Sequence, residues 1–144
     1  MSDTTTAPAA ADAATQAALE RLNTVIDRLI APDGCPWDST QTPESLTEYV
    51  IEECHELVDA IRSGKTADMV EELGDGAFLI LMIGKLMARA GGPSLADALE
   101  VEAAKMVRRH PHVFSDTTYE NQSEQLKDWD LIKREEKPAA DAEG

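Results

Sequence analysis

The chain has 144 residues, with 28 Asp or Glu against 13 Lys or Arg, for a formal charge of −15. That length suits one domain built on a single core. So acidic a chain is unsuited to general affinity for nucleic acid or an anionic membrane, since both need a basic surface.

Only two each of Trp, Tyr and Phe are present, Ala and Leu are abundant, and Val and Ile are scattered rather than alternating. This balance predicts an all-α fold. Cys35 and Cys54 show no zinc spacing, and neither a signal peptide nor a run of about 18 apolar residues is found, so a reducing cytoplasm is the expected compartment. Cys54 reads as a small core residue.

Residues 1–13 carry no large apolar side chain beyond Met1 and read as a disordered tail. Between residues 14 and 30, Leu22, Val25, Ile26, Leu29 and Ile30 recur at three- and four-residue steps, which predicts a first helix ended by Pro32 and Gly34. After a loop from Cys35 to Gln41, Thr42 as N-cap and Pro43 behind it predict a second helix, stopped by Ser63-Gly64.

A third helix is expected from Ala67 or Asp68 to Arg89, with residues 77–87 so apolar that burial on all sides is expected. Ser94 opens a fourth helix that ends on Lys105, Arg108 and Arg109. A break follows at His110-Pro111-His112, then a loop through Asp116, then a last helix capped by Thr118. Residues 14–135 read as one domain, and residues 136–144 as a flexible C-terminal tail.

Five carboxylates stand out: Glu52, Glu53 and Glu56 on the second helix, Glu72 and Asp75 on the third. At about 100° per residue, Glu53 falls in the middle of the stripe formed by Leu46, Val50, Leu57 and Ile61. Glu56 lies at the edge of that face and Glu52 at its boundary with solvent. Glu72 shares a face with Leu79, Ile83 and Leu86, with Asp75 on the same side.

Ionised carboxylates gathered at a dry helix interface repel one another and are costly to desolvate, so either a cation or protonation must compensate. An all-oxygen ligand set selects Mg²⁺, Mn²⁺ or Ca²⁺ over zinc. Gly74 and Gly76, each unfavourable in a helix, suggest close approach of a neighbouring helix beside Asp75. Glu52-x-x-His55 also fits half of a di-iron motif, but no second Glu-x-x-His is present. His110 and His112, split by Pro111, lack further zinc ligands.

Glu52-Glu53-x-x-Glu56 followed by Glu72-x-x-Asp75 resembles the EExxE…ExxD signature of the MazG-type nucleoside triphosphate pyrophosphohydrolases, members of the all-α NTP pyrophosphatase superfamily. The likeness extends to Cys35-Pro36-Trp37-Asp38-x-x-Gln41-Thr42, similar to that family's CPWD…QT loop, and to Glu72-Leu73-Gly74-Asp75. It continues through Arg108-Arg109-His110-Pro111-His112-Val113-Phe114 and Trp129-x-x-Ile132-Lys133.

The resemblance implies a helical bundle of about five helices, assembling as a dimer or tetramer. It implies Mg²⁺-dependent hydrolysis of nucleoside triphosphates between the α and β phosphorus, giving a monophosphate and pyrophosphate, in nucleotide-pool house-cleaning. Glu53, Glu56, Glu72 and Asp75 would be the metal ligands, with Mn²⁺ as a substitute ion, and Glu52 would orient or deprotonate the attacking water. Lys105 and Arg109 would meet the phosphates, Trp129 and Lys133 the nucleotide, and Trp37 and Asp38 the pocket mouth. A reading of another class is a catalytically silent helical partner-binding module that retains the metal site.

Overall fold

A computed structural model of the chain describes the backbone of residues 6–140 and the side chains of residues 9–137. Among the described residues there are six α-helices and no strand: α1 (Thr6–Ile30), α2 (Thr47–Ser63), α3 (Thr66–Arg89), α4 (Leu95–Arg109), α5 (Pro111–Phe114) and α6 (Gln122–Ala140). The all-α reading is the observed fold. Within the span read as one domain, the chain divides into two compact units, Met1–Leu95 and Ala96–Gly144.

In the first unit, α1 begins at Thr6, inside the stretch read as a tail, whose residues 1–5 lie outside the described residues. Alanine explains the difference. It has the highest helix propensity and needs no burial to favour a helix, and residues 9–21 are exposed on all sides.

The second helix is entered in two steps. Thr42 Oγ1 accepts the Ser45 N–H at 3.1 Å while Ser45 Oγ accepts the Thr42 N–H at 2.9 Å, a reciprocal cap. A 3-10 turn over Glu44–Leu46 then precedes α2. Gly64 stops α2 in the left-handed region at φ 71°, where a Cβ would be strained.

The core lies between α1 and α3: Ile26 and Ile30 of α1 pack with Leu79, Leu81, Met82 and Leu86 of α3, and Leu46 closes one end. Two polar ties hold the same pair of helices. Lys85 Nζ donates to Asp27 Oδ1 at 2.6 Å, and Arg89 Nη1 donates to the Ile30 carbonyl at 2.6 Å. Met82 is fully enclosed.

Residues 77–87 are not buried all round, because Ile80 is 52% and Met87 37% exposed. The sequence shows only that every face is apolar; α1 and α2 cover part of the circumference. Cys54 is likewise exposed rather than core, since it lies on the uncovered side of α2. A Cβ built at Gly74 or Gly76 meets nothing within 4 Å, so the close approach expected there is absent among the described residues. It is at Gly84 instead, where a Cβ would stand 2.8 Å from Leu95 Cβ.

In the second unit, the break after Arg109 is a single helical turn, α5, with Pro111 at its first position, in place of the expected loop. The cap of the last helix lies three residues beyond the predicted Thr118: Asn121 does the capping and α6 starts at Gln122. Asn121 Oδ1 accepts the Glu124 N–H at 2.9 Å, and Glu124 Oε2 accepts the Glu120 N–H at 2.9 Å, so Asn121 and Glu124 act three residues apart. α6 continues to Ala140 through residues read as a tail, and residues 141–144 lie outside the described residues. Among the described residues of this unit none is buried.

Candidate functional site

The α2–α3 pair forms because two amphipathic stripes are joined by only Gly64 and Lys65, which folds one helix back on the other. Each stripe carries an acid near the centre of its packed face. The structure thereby brings Glu53 and Glu56 of α2 against Glu72 of α3, with one carboxylate oxygen of each within 4.8 Å of the others. Glu53 and Glu72 are half-buried and Glu56 is exposed.

Glu53 Oε2 and Glu72 Oε2 are buried and have no hydrogen-bond partner. Uncompensated buried carboxylate oxygens are costly, so a site of this kind calls for a proton or a cation. Burial pushes the Glu72 carboxyl up to about 7, with Glu56 and Glu53 adding to the effect. Burial also raises Glu53, reinforced by the negative charges of Glu56, Asp75 and Glu52.

Oxygens of three acids lying within 4.8 Å of one another are near enough for a single divalent ion to be held between them. The donor set is all carboxylate, which fits a hard divalent cation and not zinc.

Asp75 is outside that trio and exposed, but it shares with Glu53 a cavity of about 240 Å³ whose other walls are Trp37, Tyr49, Phe78 and Leu79. Trp37 meets Tyr49 edge-on, with ring centroids 5.7 Å apart. Its loop is fixed locally: Gln41 Nε2 donates to the Trp37 carbonyl at 3.0 Å, and Ser45 Oγ donates to Gln41 Oε1 at 2.7 Å. Asp38 opens a 3-10 turn beside it. Glu52 is exposed and one residue from the trio, close enough that its charge acts on Glu53.

Tyr49 and Phe78 were not singled out in the sequence. The signal existed for Tyr49, which falls beside Glu53 on the helical wheel, whereas Phe78 lay hidden in an unbroken apolar run.

The remaining candidates belong to the second unit. Lys105 Nζ pairs with Glu102 at 2.5 Å. Arg109 donates to Glu136 and lies over Trp129, its Cζ 5.7 Å from the ring centroid. His110 and Trp129 pack nearly perpendicular, with ring centroids 4.9 Å apart, and Lys133 is exposed on the same helix as Trp129. His110 Nδ1 lies 2.6 Å from the Met106 carbonyl, which occupies that nitrogen within its own helix end.

A family model described as the MazG nucleotide pyrophosphohydrolase domain matches residues 41–114. A nucleoside triphosphate pyrophosphohydrolase/pyrophosphatase MazG of Thermotoga maritima is 38% identical over 118 residues, covering 82% of this chain and 45% of that protein. The nucleoside triphosphate pyrophosphohydrolase of Escherichia coli K12 is 39% identical over 120 residues, 83% of this chain and 46% of that one. Bacillus subtilis YabN, called an uncharacterized protein, is 41% identical over 118 residues, which is 24% of its length.

The chain thus spans from a quarter to just under half of these curated relatives. Among solved structures, a mazG-related protein from Thermotoga maritima superposes with a TM-score of 0.67 at 29% identity, covering 80% of this chain and 98% of that one. The matched residues 41–114 include all five acids and the Lys105 to Arg109 segment, and the chain belongs to the MazG nucleotide pyrophosphohydrolase domain family.

Proposed function

We propose that the protein hydrolyses nucleoside triphosphates between the α and β phosphorus, giving a nucleoside monophosphate and pyrophosphate, with Mg²⁺ as its natural metal and Mn²⁺ as a substitute. The observation that carries this reading is the convergence of Glu53, Glu56 and Glu72 with two buried, unpartnered oxygens. Membership of the family and the activity for which the Thermotoga and Escherichia relatives are named support the substrate class.

Glu53, Glu56 and Glu72 would hold the ion, with Asp75 joining them from the adjoining cavity wall. When bound, the ion supplies positive charge that neutralises the charge growing on the leaving pyrophosphate. Glu52, exposed and beside the ligands, orients the attacking water and takes its proton. The aromatic walls Trp37, Tyr49 and Phe78 offer flat apolar surface to the nucleotide, and Asp38, next to Trp37 in the chain, shapes the pocket mouth. Lys105 and Arg109, four residues apart and so on one face of α4, serve the phosphates, while Trp129 and Lys133 serve the nucleotide.

A panel of ribo- and deoxyribonucleoside triphosphates assayed with and without Mg²⁺ tests the reading. Metal-dependent release of pyrophosphate supports it. Release of orthophosphate, or no turnover of any triphosphate with the acids intact, refutes it and favours the silent binding module.

The metal should also compete with protons. Glu72 has a folded value near 7, above that of an ordinary carboxyl, so below about pH 7 a cation must displace its proton. Divalent affinity is therefore expected to rise with pH and to level off above about 7, measurable by calorimetry with Mn²⁺. Without metal the sign runs the other way. A raised carboxyl favours the fold fully below its unfolded value, and that contribution is lost as pH climbs through about 7.

A second copy of the chain is the proposed partner. Ile51 and Ile61 on α2, and Val70, Leu73 and Ile80 on α3, are each more than half exposed, and on α3 they recur at the 3- and 7-residue spacing of a packing seam. The empty space beside Gly74 and Gly76 lies along the same helix. Sedimentation at micromolar concentration should show a dimer or tetramer; a monomer would overturn the proposal. As a monomer Gly74→Ala should gain up to about 1 kcal/mol of stability from helix propensity, whereas a copy packed there makes it destabilising.

A further inference from the structure

Beyond the acids, the most tightly organised polar group in the described chain is at the junction of α4 and α6. Arg108 and Arg109 both end on the carboxylate of Glu136. Arg108 Nε donates to Oε1 at 2.6 Å, while Arg109 Nη2 and Nε donate to Oε2 at 2.7 and 3.2 Å. The Arg109 and Glu136 side chains are only 15% and 21% exposed, unlike ordinary surface pairs, which hold little geometry.

Arg109 is held from a second side by Trp129, seven residues before Glu136 on the same face of α6. Of the five N–H donors an arginine carries, Glu136 takes one from Nε and one from Nη2. Among the described residues Nη1 has no hydrogen-bond partner, so the end of the guanidinium that bears it is available to another anion in a fixed orientation.

We propose that Glu136 is a positioning residue for phosphate recognition: it clamps Arg109 against Trp129 so that the free end of the guanidinium is presented to the triphosphate. This rests on Arg109 being a phosphate ligand, as proposed above. The two guanidinia in turn hold the Glu136 carboxyl down at about 2, so the clamp stays charged throughout the neutral range. Because both Arg109 bonds converge on Oε2, a Gln at 136 keeps an acceptor for them and loses the charge, whereas Ala loses the clamp.

The test is a cycle of Glu136→Ala, Glu136→Gln, Arg109→Ala and the Arg109→Ala, Glu136→Ala double variant. It is read as kcat and KM for the triphosphate turned over fastest in the panel, and as calorimetric affinity for inorganic triphosphate. Glu136→Ala is expected to raise KM and weaken triphosphate binding roughly ten-fold with kcat little changed, the scale of one charge-assisted hydrogen bond. Glu136→Gln should fall between it and the parent, and the double variant should be no worse than Arg109→Ala alone.

Should Glu136→Ala fail to fold, Glu136→Gln carries the comparison. A lower KM in either Glu136 variant would mean that the carboxylate competes with phosphate, and additive losses in the double variant would mean a role not exerted through Arg109; each overturns the proposal. If Arg109→Ala weakens binding and Glu136→Ala does not, only the clamp is wrong. If Arg109→Ala leaves binding unchanged, the phosphate assignment itself fails and the clamp with it.

Discussion

Glu53→Gln is expected to lower turnover of nucleoside triphosphates by about a hundred-fold or more while raising the melting temperature of the metal-free protein. The first effect follows from removing a ligand charge at the centre of the cluster, and a hundred-fold loss corresponds to about 2.7 kcal/mol of transition-state stabilisation. The second follows from the same burial. Glu53 is raised by desolvation and by Glu56, Asp75 and Glu52, so its ionised form destabilises the metal-free fold at neutral pH.

Glutamine keeps the shape and removes that cost. Glu72→Gln should behave alike, because Glu72 is also raised, again first by burial. Near-identity of shape makes misfolding a poor explanation for lost activity, and circular dichroism with a thermal melt checks it directly. If Glu53→Gln melts lower than the parent without metal, Glu53 is a structural polar group and not one half of a strained acid pair. A variant that keeps parental turnover would remove Glu53 from the site.

The second large effect is expected at Gly34, where α1 hands over to the loop bearing Trp37. A Cβ there would stand 2.3 Å from the Arg28 carbonyl oxygen and 2.4 Å from that of Leu29. Both obstacles are backbone, so nothing flexible can yield. The turn is also locked by two hydrogen bonds, Gly34 N–H to the Ala31 carbonyl at 2.8 Å and Cys35 N–H to the Leu29 carbonyl at 2.9 Å.

Gly34→Ala is therefore expected to cost about 3 kcal/mol, the upper range for overpacking a fixed site, and to lower the melting temperature by roughly 10 °C. Trp37 stands three residues downstream and walls the cavity with Glu53 and Asp75. The surviving folded fraction should accordingly show a raised KM. A thermal melt within about 1 °C of the parent would show that the turn is not the constrained joint described here.

The parts of the fold legible in the sequence are those set by local chemistry. Gly64 marked the end of α2 because only a residue without Cβ accepts its positive φ comfortably, and Gly91, at φ 88°, follows the end of α3 for the same reason. The half-buried position of Glu53 was legible too, since helical periodicity alone puts it amid Val50, Leu57 and Leu46.

Illegible were features that depend on what packs against a surface. Periodicity could not say that Ile80, Met87 and Cys54 would face outward, because an apolar residue reads alike whether its partner is in the same chain or another. The early start of α1 was missed because low hydrophobicity was weighed above alanine's helix propensity. The cap of α6 was misplaced because Thr118 and Asn121 are both acceptable N-caps, and only the Glu124 contact separates them.

Glu136 illustrates the same limit at a polar group. It looked like the start of a solvated tail, and only folding reveals that two arginines 27 and 28 residues earlier converge on it. By contrast, the acid trio was readable in advance because its members lie on two helices joined by a two-residue turn. Their meeting needs no long-range information beyond the pairing of adjacent helices.

Hydrolysis in water enriched in ¹⁸O, with the products separated and weighed by mass spectrometry, tests the central claim most directly. Attack on the α phosphorus, with the acid cluster serving the leaving pyrophosphate, predicts that the label enters the nucleoside monophosphate and is absent from pyrophosphate, and that Glu53→Gln suppresses both products together. Label in pyrophosphate, or labelled orthophosphate beside a nucleoside diphosphate, would contradict it.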